Sequence, residues 1–594
     1  MATEISRRNF LKSAAAGSVG VAALGMLAGC APTSNAEDGA SDSEPTATTS
    51  QAAKGTTSSW KIAPEPVDPS AITATYDADA IVIGHGHAGI TACREIAEQG
   101  KSVICIEQQD EEHYMPNGNE GGIINNTYLN EKQGVEKVDP IEFFNHWQYT
   151  TGNTVNPSLL MKYCQNSGAN SDWYLDVLTE EQLDTAFVAF RNCDTAEPAE
   201  VANGYYDKVI TEMGPYKSYT SSLGFYGDCS QADIHALNRE VAKRAGAEFH
   251  FETTAQYLLT DDGGAVTGVV ATDKDGSYVQ YNGSAVVLAT GGFGCNPEMI
   301  KDLCSDVIGF ATPEEIESLG TSMDNRFGDG IQMAYWVGAQ LEGGGVATMG
   351  MKSSSDGWPC GVWLDETGNR YCNEFWGQAE QRGNHGVYMP RETHYVIYGP
   401  DLFETVQYCT PSHGSNKPNL MFMDCLQQAM NQAVDSPEMA EVEGEFMTHV
   451  SLYGANTVAE LLQKMGCTDE QVIANAETAI ERYNGYCEAG ADQEFGRDAS
   501  VMWAIKDGPF YGQVSTPGVG SALTTMGGLI TNGEQQVLDQ YSRPIPGLFA
   551  SGNTTGRRFG RDYFTPISGM SLGFGWVLGR ECGKSVVAYL NGEI

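Results

Sequence analysis

The stretch from Asp79 to Ala97, Asp-Ala-Ile-Val-Ile-Gly-His-Gly-His-Ala-Gly-Ile-Thr-Ala-Cys-Arg-Glu-Ile-Ala, constrains the fold of this chain more than any other. It opens with a short apolar run, Ala80 to Ile83, that has the length and composition of a buried strand. Gly84, Gly86 and Gly89 follow in G-x-G-x-x-G spacing, then a segment of helical character, then a second apolar run that ends in Glu107. Gly84 permits a tight turn, Gly86 lets backbone approach a pyrophosphate, and Gly89 lets helix and strand pack closely. The start of the helix offers unpaired N–H groups and a positive dipole end to phosphate. Glu107 lies 18 residues after Gly89, where a carboxylate reaches ribose hydroxyls. Strand, glycines, helix, second strand and acid together predict a dinucleotide site in a parallel α/β fold.

The 594 residues suffice for two or three domains. With 34 basic and 77 acidic residues, the formal net charge is −43. So acidic a surface repels nucleic acid and anionic lipid, and it suits a positively charged redox partner. The 15 cysteines include no C-x-x-C and no C-x-x-C-H. That leaves no spacing for an iron–sulfur cluster, a zinc site or a c-type haem, and no metal is expected. The cysteines read mostly as small buried hydrophobes.

At the N-terminus, Ser6-Arg7-Arg8-Asn9-Phe10-Leu11-Lys12 matches a twin-arginine export signal, and the apolar run Ala14–Leu27 is too short to span a bilayer comfortably. Leu27-Ala28-Gly29-Cys30 has the form of a lipobox, which makes Cys30 the expected lipidation site and residues 1–30 a cleaved signal. Such a protein is exported folded, with its cofactor inserted, and stays on the outer face of the cytoplasmic membrane through its lipid alone. Residues 31–73 are rich in Ser, Thr, Ala and Pro and read as a disordered tether.

Along the rest of the chain, Asn117-Gly-Asn-Glu-Gly121-Gly122 forms a loop of small residues able to wrap a flavin ring. Residues 139–185 look helical, as does Ala232–Arg244. Short strands are expected at Glu248–Phe251, Gln256–Thr260, Val266–Thr272 and Ser277–Tyr281. Ala285-Val-Val-Leu-Ala-Thr290-Gly291-Gly is a buried strand ending in a glycine turn, as in the second half of a two-lobed FAD domain. From 297 to 502 the chain changes character, with helical stretches near Pro313–Leu319, Ala429–Phe446 and Thr457–Tyr486. The expected organisation is a FAD-binding domain in two parts, 74–296 and 503–594, with a capping or substrate domain, 297–502, inserted between them.

These motifs, with Gly328-Asp329-Gly-Ile, Asn369-Arg-Tyr-Cys-Asn-Glu374, Thr525-Met-Gly-Gly-Leu and Pro546-Gly-Leu-Phe-Ala-Ser-Gly552-Asn553, resemble the FAD flavoproteins that include soluble fumarate reductase, urocanate reductase and 3-ketosteroid dehydrogenase. The resemblance covers about residues 77–590. It implies an α/β protein, a two-lobed Rossmann-like FAD-binding domain with an inserted α+β capping domain. It also implies FAD, substrate between the domains, and hydride exchange between flavin and an activated carbon–carbon bond. Covalent attachment needs a well-placed histidine near the Gly-rich loop, and His113 precedes that loop, so the FAD is expected to be noncovalent. Asp329, Gly552, Asn553, Gly569 and Ser571 fall near the cofactor by the same correspondence.

The departures from the family are chemical. Fumarate reductase-like members carry a His and an Arg that clamp carboxylate after the last glycine motif. Here Phe559 stands at the His and Tyr563 at the Arg. A tyrosine there is similar to the ketosteroid dehydrogenases, which use it to polarise a ketone. Tyr563 lies about two residues upstream of the expected place relative to Pro566–Gly573. The proton-donating Arg has Gln378 in its position, and Arg382 is one helical turn later. Arg557, Arg558 and Arg561 are candidates for a substrate anion, the FAD phosphates or ion pairs. His85 and His87 are expected to point away from the ligand, and Trp336, Trp358, Trp363 and Trp376 to line an apolar pocket or pack a core.

The expected activity is an exported FAD-dependent reductase of an enone or enoate, with Tyr563, Arg382 and Arg561 as catalytic residues. Its electrons would come from a separate membrane cytochrome or quinol-linked protein in anaerobic respiration. The alternatives are a ketosteroid-type dehydrogenase and a non-catalytic flavin electron-transfer lipoprotein.

Overall fold

The computed structural model describes residues 58–112, 120–124, 127–132, 137–184, 187–189, 210–213, 216–219, 222–224, 229–304, 326–343, 357–375, 393–406, 420–444, 449–515, 524–560, 567 and 569–594. The chain divides into two units, Met1–Ile62 and Ala63–Ile594. The described part of the first contains one 3-10 turn, Ser59–Lys61. Everything below concerns the second.

Its larger lobe is built on a six-stranded sheet. The strands are β1 Ala80–Ile83, β2 Val103–Ile106, β3 Glu248–His250, β4 Ala285–Leu288, β5 Gln536–Leu538 and β6 Pro544–Ala550, in the order β5-β6-β4-β1-β2-β3. All neighbours run parallel except β5, which is antiparallel to β6. β1, β2 and β4 are apolar throughout and fully buried, as strands covered on both faces must be. Each large aliphatic side chain so buried contributes about 1.5–3 kcal/mol. Their register pairs Ile83 with both Ile106 and Leu288, and Leu288 with Ala550. The strands therefore end level, and Gly84, Glu107, Ala289 and Ser551 emerge along one edge.

Five helices shape that edge: α1 His87–Glu98, α2 Pro157–Leu175, α3 Gln231–Arg244, α4 Asp329–Trp336 and α5 Met570–Leu590. α5 lies against α1 because Gly575, Gly579 and Gly583 recur every fourth residue and face His87, Ala88 and Glu95; a Cβ on Gly579 or Gly583 would collide, and one on Gly575 would be tight at 3.1 Å. A smaller sheet joins Ile72–Asp77 with Thr254–Thr260, Val266–Thr272 and Tyr278–Asn282.

The second lobe is a five-stranded sheet in the order Val362–Leu364, His394–Tyr398, Phe510–Ser515, His449–Ala455, Ala440–Glu443. Helices Leu420–Ala433, Val458–Lys464 and Glu470–Ala489 pack with it around two buried clusters. Trp363 is core there and Trp358 packs against the same cluster. Among the described residues no helix is long and apolar enough to cross a membrane, and no described cysteine forms a disulfide.

Pairing moves the boundaries expected from sequence. Phe510–Ser515, placed in the FAD-binding part beginning at 503, pairs with His394–Tyr398 and His449–Ala455 in the second lobe. Residues 329–342, placed in the capping segment, belong to the first lobe: Gln340 N donates to Leu538 O at 2.8 Å and Glu342 N to Gly528 O at 2.9 Å. The tether expected to run to 73 ends earlier, since Val67 N donates to Tyr257 Oη at 3.1 Å and Ile72 already pairs with Tyr278. The helix expected over Ala429–Phe446 stops at Ala433. Ser436-Pro437 follows and Ala440–Glu443 alternates buried and exposed as a strand. Thr457–Tyr486 divides at Gly466 and restarts where the Asp469 carboxylate caps Gln471 N at 2.8 Å.

Candidate functional site: a cofactor cleft at the carboxyl edge of the sheet

The three glycines of the phosphate loop occupy different environments. Gly84 has φ +96°, and a Cβ on it would stand 2.5 Å from Ala289 O. A Cβ on Gly89 would fall inside the carbonyl of Gly84. Gly86 has nothing within 4 Å of a Cβ position. Two glycines are thus required by the protein itself, and the middle one borders open space. Gly86 also caps α1 without any side-chain bond to the first-turn N–H groups, which leaves them for a ligand anion.

Glu107 emerges at the end of β2 and is buried. Its Oε2 accepts His85 N at 2.8 Å and its Oε1 accepts Gln109 N at 2.9 Å. Burial raises its pKa above the ordinary carboxylate value, against the lowering effect of these backbone bonds. The acid therefore braces the phosphate loop, and its oxygens retain lone pairs for ribose hydroxyls. His85 points away from the cleft, its ring 4.6 Å from His235 and 5.2 Å from Phe249. Burial pushes the His85 ring well below its usual pKa and His235 down to about 3, so both stay neutral. The His235 ring donates to the carbonyl groups of His85 and Gly86, and Gln231, one turn earlier on α3, approaches His87 Nδ1 at 3.4 Å.

The other expected cofactor residues form a second rim. The turn after β4 carries Thr290 and Gly291, the latter at φ +78° with open space at its Cβ position. Thr290 Oγ1 lies 3.4 Å from Thr554 Oγ1, and Gly330 of α4 packs on the Thr290 side chain, so Asp329 begins its helix beside this turn. Burial raises the Asp329 pKa. Phe293 N donates to Thr525 Oγ1 at 3.3 Å, which joins the Thr-Met-Gly-Gly turn to the same place. Gly552 and Asn553 follow β6, and Ser571 Oγ donates to Asn553 Oδ1 at 2.9 Å. Gly569, at φ +69°, caps α5 without a side-chain bond, and its carbonyl accepts Gly122 N at 2.8 Å. Gly121 faces Trp576 so closely that a Cβ would overlap the indole. Gly121 and Gly122 are thus held against α5, and the structure gathers Thr290, Gly291, Asp329, Gly552, Asn553, Gly569, Ser571 and the two loop glycines around one edge.

Two of the nearby arginines separate. Arg557 is exposed, at φ +51°. It lines a cleft of about 910 Å³ with Asn153, Asn156, Gln340, Glu342 and Asn532 among its polar residues. Arg558 is buried, with Nε donating to Thr555 O at 2.7 Å and Nη2 to Thr525 O at 2.8 Å. Glu342, which sequence reasoning missed, accepts Arg557 N at 2.8 Å, and burial pushes its carboxyl up to about 7. Phe559 is fully buried, stacked on Trp147 at 6.4 Å and edge-on to Phe574 at 5.7 Å. Its ring belongs to an aromatic cluster, so nothing at this position clamps a carboxylate. Asn117, Arg382, Arg561, Tyr563 and Cys30, with His113, Trp376 and Gln378, lie outside the described residues.

The geometry fits FAD: an open glycine at an uncapped helix start for the pyrophosphate, an acid at the neighbouring strand end for the ribose, and an uncapped α5 start at the second rim. The comparisons agree. Residues 79–572 match the family model described as FAD binding domain. The vinyl phenol reductase of Lactiplantibacillus plantarum is 25% identical over 86% of this chain and 97% of its own length. The digoxin reductase of Eggerthella lenta is 26% identical over 98% of this chain and 97% of its own. Among solved structures, the 3-ketosteroid-delta4-(5alpha)-dehydrogenase of Rhodococcus jostii RHA1 superposes with TM-score 0.60 at 22% identity, covering 88% of this chain and 99% of that one, which shows the fold. The resemblance to fumarate reductase, urocanate reductase and ketosteroid dehydrogenase flavoproteins is borne out, and the chain belongs to the FAD binding domain family as an FAD-dependent oxidoreductase.

Proposed function

We propose that this protein reduces an activated carbon–carbon double bond, an enone or enoate, outside the cytoplasm. The observation that carries the reading is that two relatives matched over nearly their whole length are both named as reductases. Bound noncovalently and reduced, FAD supplies a hydride for the β-carbon. The chain's own residues do the rest. Gly86 and the α1 start bind the pyrophosphate, and Glu107 binds the ribose. The Tyr563 hydroxyl donates to the substrate carbonyl and stabilises the charge that develops there. Arg382 delivers the proton to the α-carbon, and Arg561 binds an anionic group of the substrate. The second lobe closes over the substrate and excludes water.

The burial of Phe559 favours a substrate held by a polarised carbonyl over a dicarboxylate such as fumarate. The twin-arginine pattern and Cys30 support export and lipid anchoring, and the substrate then serves as a respiratory electron acceptor. Electrons arrive from a separate membrane cytochrome or quinol-linked protein, since the chain carries no haem-attachment motif and the acidic surface suits a basic partner.

The test is anaerobic. Photoreduced protein is mixed with cinnamates, steroid enones, urocanate and fumarate, and flavin reoxidation is followed. Reoxidation by a conjugated carbonyl compound is expected, and Arg382→Ala should abolish it while FAD stays bound. Bleaching of oxidised protein by a saturated ketone, with no reoxidation by any alkene, would replace this reading with a dehydrogenase.

A further inference from the structure

Four chain segments at the rim of the cofactor cleft meet at one buried side chain. Arg558 is 2% exposed. Its Nε donates to Thr555 O at 2.7 Å, its Nη1 to Asn553 Oδ1 at 2.5 Å and its Nη2 to Thr525 O at 2.8 Å. Asn553 Oδ1 also accepts Ser571 Oγ from the first turn of α5 at 2.9 Å. Thr525 Oγ1 accepts Phe293 N from the turn after β4 at 3.3 Å. One guanidinium thus spans the Thr-Met-Gly-Gly turn and the loop after β6, and through single bonds it reaches the start of α5 and the turn after β4. An arginine that reads a phosphate or carboxylate turns the flat side of its fork to the ligand. Here all three nitrogens of the fork donate to protein oxygens.

We propose that Arg558 is a positioning residue: the planar fork sets the spacing between the Thr525 turn and the Asn553 loop, and so the contacts of both with bound FAD. The proposal rests on FAD as cofactor and is independent of the substrate reading. It predicts that charge alone is insufficient. A lysine at 558 keeps the charge but has a single nitrogen, which cannot donate to three oxygens held in a plane.

Arg558→Lys and Arg558→Met, made in the full chain and loaded with FAD, separate the two roles. FAD affinity, the visible circular dichroism of the flavin and the flavin midpoint potential are measured on each, with no substrate present. Both variants should bind FAD about tenfold or more weakly, the loss expected for one well-placed charge-assisted hydrogen bond. Both should show the same altered dichroism and a shifted potential. A lysine variant equal to wild type in all three, with only the methionine variant impaired, would mean that the charge is what matters and would overturn the proposal, as would two unaltered variants. If neither variant folds, Ser571→Ala decides. It removes one donor from the Asn553 oxygen, and dichroism and potential that differ from wild type are expected; values equal to wild type overturn the proposal.

Discussion

Arg370 grips Glu374 with both sides of its fork, Nε on Oε1 and Nη2 on Oε2, each at 2.9 Å, and both side chains are completely buried. Arg370 Nη2 also meets Asp492 Oδ2 at 3.1 Å, and Arg497 Nη1 meets Glu374 Oε2 at 3.3 Å. Arg497 goes on to Val501 O, Gly361 O and Pro359 O at 2.8, 2.9 and 2.8 Å. The Asn-Arg-Tyr-Cys-Asn-Glu motif is therefore a charge network that ties three loops of the second lobe. Removing one member strands a buried charge. Glu374→Ala should cost about 3–5 kcal/mol in denaturant unfolding, with Glu374→Gln between it and wild type. A loss under about 1 kcal/mol would mean that water already reaches the network.

The phosphate-loop glycines should separate folding from binding. Gly86→Ala meets no protein atom, and φ is −69°. The apoprotein should melt as wild type does while FAD binding weakens at least about tenfold, because the methyl stands where the pyrophosphate approaches. Gly89→Ala drives a Cβ into Gly84 O, so the apoprotein itself should be destabilised, by about 1–3 kcal/mol for overpacking. Melting curves of apoprotein and fluorescence titration with FAD read the two effects separately.

Acid should loosen the loop from behind. His235 is held at about 3 and His85 well below its usual value, both by burial first and by neighbouring positive groups second. Unfolded histidine takes a proton near pH 6.5, so the unfolded chain binds more protons and stability falls as pH drops below about 6.5. Each histidine adds about 1.4 kcal/mol per pH unit to that slope. His235→Gln keeps a donor for the His85 and Gly86 carbonyl groups and should reduce the acid sensitivity by one such share. Denaturation midpoints at pH 7 and pH 5 give the comparison.

Glu342 should act in the opposite direction. Its folded pKa of about 7 lies above the ordinary 4.5, because burial outweighs the Arg557 N–H and the two arginines. The folded state then holds the extra proton, so this group makes the protein less stable as pH rises from about 4.5 through 7. Glu342→Gln keeps an acceptor for Arg557 N. It should match wild type near pH 4.5 and be the more stable of the two above pH 7. Equal stability at both ends would show that Glu342 is solvated.

The dinucleotide unit was legible residue by residue, because each glycine answers a local steric demand that spacing alone expresses. Four of the short strands before Ala285 were legible for a similar reason, as their apolar alternation is local. The boundaries of the inserted lobe were not. Phe510–Ser515 looks like any half-apolar run, and only its pairing with His394–Tyr398 and His449–Ala455, far earlier in the chain, decides which lobe owns it. The run Ala429–Phe446 kept a helical composition past Ala433, and the Ser436-Pro437 break and the pairing of Ala440–Glu443 overrode it.

By itself the sequence determined a βαβ unit whose Gly84, Gly86, Gly89 and Glu107 have the spacing of a dinucleotide site, since backbone conformation and helix-end electrostatics act over a few residues. Tertiary structure alone decided what the polar side chains do. Arg557 and Arg558 are adjacent and chemically identical, yet one lines a cleft and the other ties Thr525 to Asn553. Glu342 and His235 carry no motif and take their altered charge states from burial by segments far along the chain. Phe559 shows the same rule: its position in the motif named the side chain that is missing, and only packing against Trp147 and Phe574 showed that the ring is part of the core.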